Sequence, residues 1–130
     1  MKDYFTLPEL CVTGEPLDNV PDWDAVDNLR YLTTNLLNPI RELHNRVLTV
    51  NSGYRSQAVN KATGGVETSQ HRVGSACDFT AGSIEDNKIL FERIKKSGFV
   101  WDQLIFERGG VWIHVSLVKN GNRNQVLTLG

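Results

Sequence analysis

The chain has 130 residues, of which 40% are hydrophobic and 22% charged, with a net charge of −1. This is the make-up of an ordinary folded domain with a sizeable core, and it excludes whole-chain attraction to nucleic acid or an anionic membrane. No apolar run approaches the ~20 residues that span a bilayer, and Met1-Lys2-Asp3-Tyr4-Phe5 opens no signal-peptide core. The expectation is a soluble monomer with one domain over residues 1–130. Action outside the cytoplasm would require release by another agent or a leader already removed.

In chain order, Thr6 opens a short helical turn with Pro8 near its start. Residues 13–22, with Gly14, Pro16, Asn19 and Pro21, read as a loop. From Asp22 the residues Trp23, Val26, Leu29, Leu32, Leu36, Ile40, Leu43 and Val47 recur at helical spacing, predicting one long helix with a buried face. Pro39 should kink or split it near Asn38. Leu48–Asn51 reads as a strand, Ser52–Ser56 as a turn and Ser56–Thr63 as a short helix. Gly64-Gly65 opens a loop to Ser69, and Ser75–Thr80 is a second strand. Ser83 caps a helix with acidic residues in its first turn and Ile89, Leu90 and Ile94 on its apolar side, ending by Gly98. Asp102–Glu107 and Val111–Val118 form a hairpin turning at Gly109-Gly110, and Val126–Leu129 makes a last strand. Helices followed by hairpin strands predict an α+β fold with a mostly antiparallel sheet.

Chemistry concentrates in Ser69-Gln70-His71-Arg72-Val73-Gly74-Ser75-Ala76-Cys77-Asp78, which sets an imidazole and a carboxylate seven positions apart across a glycine. His114 follows Asp78 by 36 residues. Two histidines and one aspartate can hold a catalytic zinc and leave one coordination position open. Strand parity sharpens this. A two-residue turn at Gly109-Gly110 sets Ile105 opposite His114 and Glu107 opposite Trp112. Leu104, Phe106, Ile113, Val115 and Leu117 then share the core face, and His114, Glu107 and Trp112 share the polar one. Glu107 becomes a diagonal neighbour of His114, at about 7–8 Å between backbones. In the second strand Asp78 points to the site while Cys77 packs inward. Glu107 is the candidate general base and Arg55 the candidate cation for a carbonyl oxygen or peptide carboxylate. Trp112 can wall the substrate, and Ser69 and Gln70 are further candidates beside His71.

Each residue also has a plainer reading. His71 and His114 can be structural, Asp78 a turn or cap residue, Glu107 a solvated side chain and Arg55 an ion-pair partner. His44 reads as a helix-surface residue. Cys11 and Cys77 are too few for a disulfide framework and read as free, small apolar residues.

Taken together, Ser52-Gly53-Tyr54-Arg55-Ser56, Asn60, Gly64-Gly65, the stretch Ser69–Asp78 and Trp112-Ile113-His114-Val115-Ser116 resemble the zinc D-Ala-D-Ala carboxypeptidase family (peptidase family M15). The likeness covers about residues 5 to 118 and is closest to the small single-domain branch of bacteria and phages, which includes phage endolysin peptidases. It implies a Hedgehog/DD-peptidase-type α+β fold, Zn2+ bound by His71, Asp78 and His114, and Arg55 acting on the oxyanion or the substrate. It also implies hydrolysis of peptidoglycan stem peptides at the cell wall, as a D-Ala-D-Ala carboxypeptidase or an L-alanyl-D-glutamate-type endopeptidase. One departure matters. Many members carry the catalytic acid three residues before the last histidine ligand, where this chain has Val111. Glu107, further upstream in the hairpin, resembles the arrangement of the small branch. The departure keeps open an alternative, a catalytically silent Hedgehog-like zinc-binding module for cell-wall peptide or a protein partner.

Overall fold

Local capping starts each principal helix. The computed structural model describes residues 2–130. Helix α1 (Leu7–Leu10) begins with a capping box: Glu9 N–H donates to Thr6 Oγ1, and Thr6 N–H donates to the Glu9 carboxylate. Helix α2 (Trp23–Leu32) starts at Asp22, whose Oδ1 accepts the Ala25 N–H at 2.8 Å. It runs through a π turn, Thr33–Leu37, into α3 (Asn38–His44), which ends at Asn45 in a left-handed conformation. The kink expected at Pro39 is therefore a wide turn rather than a break. Proline has no N–H for its i−4 carbonyl and its ring crowds that group; in the wide turn the Asn38 N–H reaches Thr33 O instead.

The buried stripe holds Ala25, Val26, Leu29, Leu32, Leu36, Leu37 and Ile40. Two residues of the expected face depart from it: Trp23 is 83% exposed and Val47 73%. Trp23 is the first helical residue and lies with Leu7, Val20, Pro21 and Val26 along a surface groove. Val47 follows the helix end, where the periodicity no longer applies. His44 also differs from expectation: it is buried, and its Nε2 has no hydrogen-bond partner among the described residues. Burial, followed by the nearby Arg46 charge, lowers its pKa.

The remaining elements are β1 (Thr49–Ser52), α4 (Gln57–Ala62), β2 (Ala76–Thr80), α5 (Ile84–Lys95), β3 (Gln103–Glu107), β4 (Trp112–Ser116) and β5 (Gln125–Thr128). Ser83 caps α5 by accepting the Asp86 N–H. The buried stripe of α5 is Asn87, Leu90, Phe91 and Ile94, whose spacing of three and four leaves Ile89 half exposed on the flank. The five strands form a sheet in the order β1-β2-β4-β3-β5. All pairings are antiparallel except β3 with β5, which is parallel. The class is α+β, with a mostly antiparallel sheet.

The β3–β4 register matches that read from parity: Ile105 faces His114, Phe106 faces Ile113 and Glu107 faces Trp112. The turn itself is longer than Gly109-Gly110, comprising Arg108–Val111 with positive φ at Arg108, Gly109 and Gly110. Two more residues are added symmetrically, so the pairing does not shift.

Alternation divides the sheet into two faces. Val50, Cys77, Phe79, Leu104, Ile113 and Val115 belong to the same core cluster as Leu29, Leu32 and Leu36 of the long helix and Leu90 and Ile94 of α5. Asp78 and His114 lie between those positions in sequence and project to the opposite face.

Candidate metal centre

Gly53 begins the site. Its position is fixed from α1, because the next residue, Tyr54, donates its N–H to Leu10 O at 2.8 Å. The backbones approach so closely that a Cβ on Gly53 would run into the Leu10 carbonyl. The Gly53 carbonyl then meets His71 Nδ1 at 2.7 Å. A carbonyl only accepts, so Nδ1 carries the proton and Nε2 keeps its lone pair for a ligand role. Backbone contacts hold the same loop: Arg55 N–H donates to His71 O at 2.9 Å, and Ser69 Oγ accepts the His71 N–H at 3.2 Å. The loop is a 3-10 turn, Gln70–Val73, closed by Gly74 at φ 79.

The other two donors are set by the sheet. Asp78 and His114 are direct cross-strand partners in the β2–β4 ladder. Asp78 Oδ1 lies 2.8 Å from His114 Nδ1, and Oδ2 lies 3.4 Å from His71 Nε2. The imidazole centroids are 5.2 Å apart and the rings are nearly edge to face. His71, Asp78 and His114 offer ligand atoms that all lie within 4.8 Å of one another. Tetrahedral coordination with bonds of ~2.0–2.1 Å puts donors about 3.3–3.4 Å apart, so the set fits one ion with small side-chain shifts. His71 and Asp78 are buried, and the His114 side chain is 12% exposed.

Charge favours the same arrangement. Burial pushes the Asp78 carboxyl up, but hydrogen bonds and charge from His114 and His71 outweigh it and hold the group well below the usual carboxylate range. Asp78 is therefore an anion ready for a cation. Arg55 Nη2 reaches Asp78 Oδ2 at 3.4 Å, while its Nε donates to Ser52 Oγ at 2.9 Å and its Nη1 lies 3.5 Å from Asn60 Oδ1. Three oxygens thus fix the guanidinium beside the donors. Cys77, next to Asp78, is fully buried on the core side, and burial first of all pushes its thiol pKa well up; both cysteines are free.

The other sequence candidates fall in two groups. Ser69, Gln70 and His114 line a cleft of about 420 Å3 together with Gln103, Ile105 and Arg123. Glu107 and Trp112 face each other further along the site face, with the Arg108 guanidinium over the indole at 5.3 Å. The Trp112 N–H is buried without a partner among the described residues. Glu107 makes no hydrogen bond to the three donors among the described residues. Sequence reading missed Asp102. This buried carboxylate accepts from Gln70 Nε2 at 2.8 Å and twice from the Arg123 guanidinium, at 3.0 and 2.7 Å. Its partners lie 21 and 32 residues away, beyond any local motif.

Two imidazoles and a carboxylate, buried together on the polar face of a mixed sheet, define a three-donor site with room for a further ligand. A family model described as Peptidase M15 matches residues 3–116, and the chain belongs to this family of metal-dependent hydrolases. No curated protein matches the chain. Among the described residues no helix is long and apolar enough to cross a membrane.

Proposed function

We propose that the chain is a zinc peptidase that hydrolyses peptide bonds in the stem peptides of bacterial peptidoglycan, as a D-Ala-D-Ala carboxypeptidase or a related endopeptidase. The observation that carries this reading is the mutual approach of His71, Asp78 and His114 within 4.8 Å in a chain of the Peptidase M15 family. Zn2+ suits two imidazoles and one carboxylate, and when bound it supplies Lewis acidity and an acidified water. The protein's own residues do the rest. The Gly53 carbonyl keeps His71 in one tautomer. Arg55, held by Ser52, Asn60 and Asp78, offers N–H groups to the oxygen of the carbonyl under attack. Glu107 takes the proton of the attacking water and passes it to the leaving amine. Trp112 walls the site, and Ser69 and Gln70 border the substrate cleft. The unit of function is a single domain over residues 1–130, monomeric, acting at the cell wall.

Glu107→Gln is the direct test. Zinc content should be unchanged and turnover of purified muropeptides should fall about 10²–10⁴-fold, read by mass spectrometry of the products. Normal turnover removes Glu107 from the role of base. Val111, three residues before His114, favours a second reading, a zinc-binding module that recognises wall peptide without cutting it. A new product that forms only with metal rejects that module.

A further inference from the structure

We infer that Arg123 is a substrate-binding residue that reads a free carboxylate of the peptide in the cleft beside His114, an inference that rests on the peptidase reading and adds its specificity. Among the described residues, the cleft that contains His114 has a single cationic side chain on its lining, Arg123, and no carboxylate. Arg123 lies beyond residues 3–116, the segment the family model matches.

The guanidinium is held rather than loose. Asp102 accepts the Arg123 backbone N–H at 2.9 Å, Nε at 3.0 Å and Nη2 at 2.7 Å, so one carboxylate fixes both the main chain and the fork. The same carboxylate accepts Gln70 Nε2, and Gln70 is the residue before the donor His71. Arg123 is thereby registered against the metal-site loop. Nη1 has no acceptor among the described residues, and the side chain is 55% exposed. A surface arginine kept only for packing needs none of this. An arginine that lines the cleft, is anchored through Nε and Nη2 on a buried acid and is still 55% exposed has little left to lose in ordering when an anion arrives.

Charge supports an acidic substrate. An ion of charge +2 with Asp78 leaves +1 at the centre and Arg55 adds to it, while Arg123 and Asp102 cancel as a pair. The ligand chemistry is a carboxylate near the scissile bond, either the peptide C-terminus or an acidic side chain. Charge-assisted hydrogen bonds of this type correspond to a ~10- to 100-fold preference over the neutral amide.

The experiment uses zinc-loaded full-length protein and three otherwise identical stem-peptide analogues: one with both carboxylates free, one with the C-terminus amidated and one with the glutamyl carboxylate amidated. Cleavage is followed by mass spectrometry and binding by calorimetry. Wild type should prefer the doubly acidic peptide by ~10- to 100-fold over one of the two amides, and which amide suffers identifies the carboxylate. In Arg123→Gln that ratio should collapse toward one; in Arg123→Lys, which keeps the charge and can still pair with Asp102, it should fall only in part. Equal cleavage of all three peptides by wild type overturns the inference and leaves the peptidase reading standing. So does an Arg123→Gln ratio that stays at the wild-type value while both rates drop, since that is the mark of an anchor for the loop. If no peptide is cut but the binding preference is present and lost in Arg123→Gln, the peptidase reading fails and the carboxylate site stands.

Discussion

The two faces of the sheet obey different rules, and adjacent residues show it. Ile113 and His114 differ by one position, as do Cys77 and Asp78. Ile113 and Cys77 are fully buried in the core under the long helix and α5. Their contribution is non-directional burial, spread over many weak contacts. His114 and Asp78 contribute through a few directed contacts, 2.8 Å between them and 3.4 Å onward to His71 and Arg55. One face depends on close packing, the other on the direction of each contact as well. The core face thereby serves as the rigid backing for Asp78 and His114, and the Gln70–Val73 turn brings His71 to them.

Three substitutions or modifications sharpen that contrast. The largest effect belongs to Asp78→Ala. It removes the carboxylate shared by His71, His114 and Arg55, so zinc should be lost and turnover should fall below detection, read by elemental analysis and muropeptide digestion. Retention of one zinc per chain would break the assignment. Next is Ile113→Ala, directly behind the site. It should cost about 2–5 kcal/mol in stability by leaving a cavity, measured by denaturant unfolding, while the surviving folded protein still binds metal. A loss of metal without a loss of stability would mean that the two faces are not separable in this way. The smallest effect concerns Cys77. Burial pushes its thiol pKa up and closes it to solvent, so a thiol reagent should modify it only after unfolding, with Cys11 reacting first. Rapid native labelling at Cys77, located by peptide mass mapping, would show that the core face opens.

Much of this contrast is written in strand alternation. Period two assigns Ile113 and His114, or Cys77 and Asp78, to opposite faces without any structure. The hairpin register survived a longer turn, since residues were added equally on both sides of Gly109 and Gly110. Helix periodicity was weaker at the ends: Trp23 and Val47 satisfy the pattern yet lie where no second layer covers them. His44 breaks no pattern and is nonetheless buried. The contacts that hold the donors in place left no local trace. Gly53 O for His71, and Asp102 for Gln70 and Arg123, join residues 18 to 32 positions apart through groups every residue or many residues possess. Such contacts follow from how the layers stack, and only the assembled fold reveals them. The π turn is similar: Pro39 announces an irregularity but not its form.

The direct pairing of Asp78 with His114 also has a consequence in time. β2 and β4 are neighbours in the sheet but are separated in the chain by α5 and β3. As the polypeptide grows, His71 and Asp78 exist long before His114 has been made, and two donors hold an ion poorly. The three-residue group is therefore complete only once β4 has paired with both β2 and β3. A register slip of one residue in that pairing would turn His114 toward the core and bring Ile113 to the donors. A partially made or mispaired chain thus lacks the assembled group of His71, Asp78 and His114.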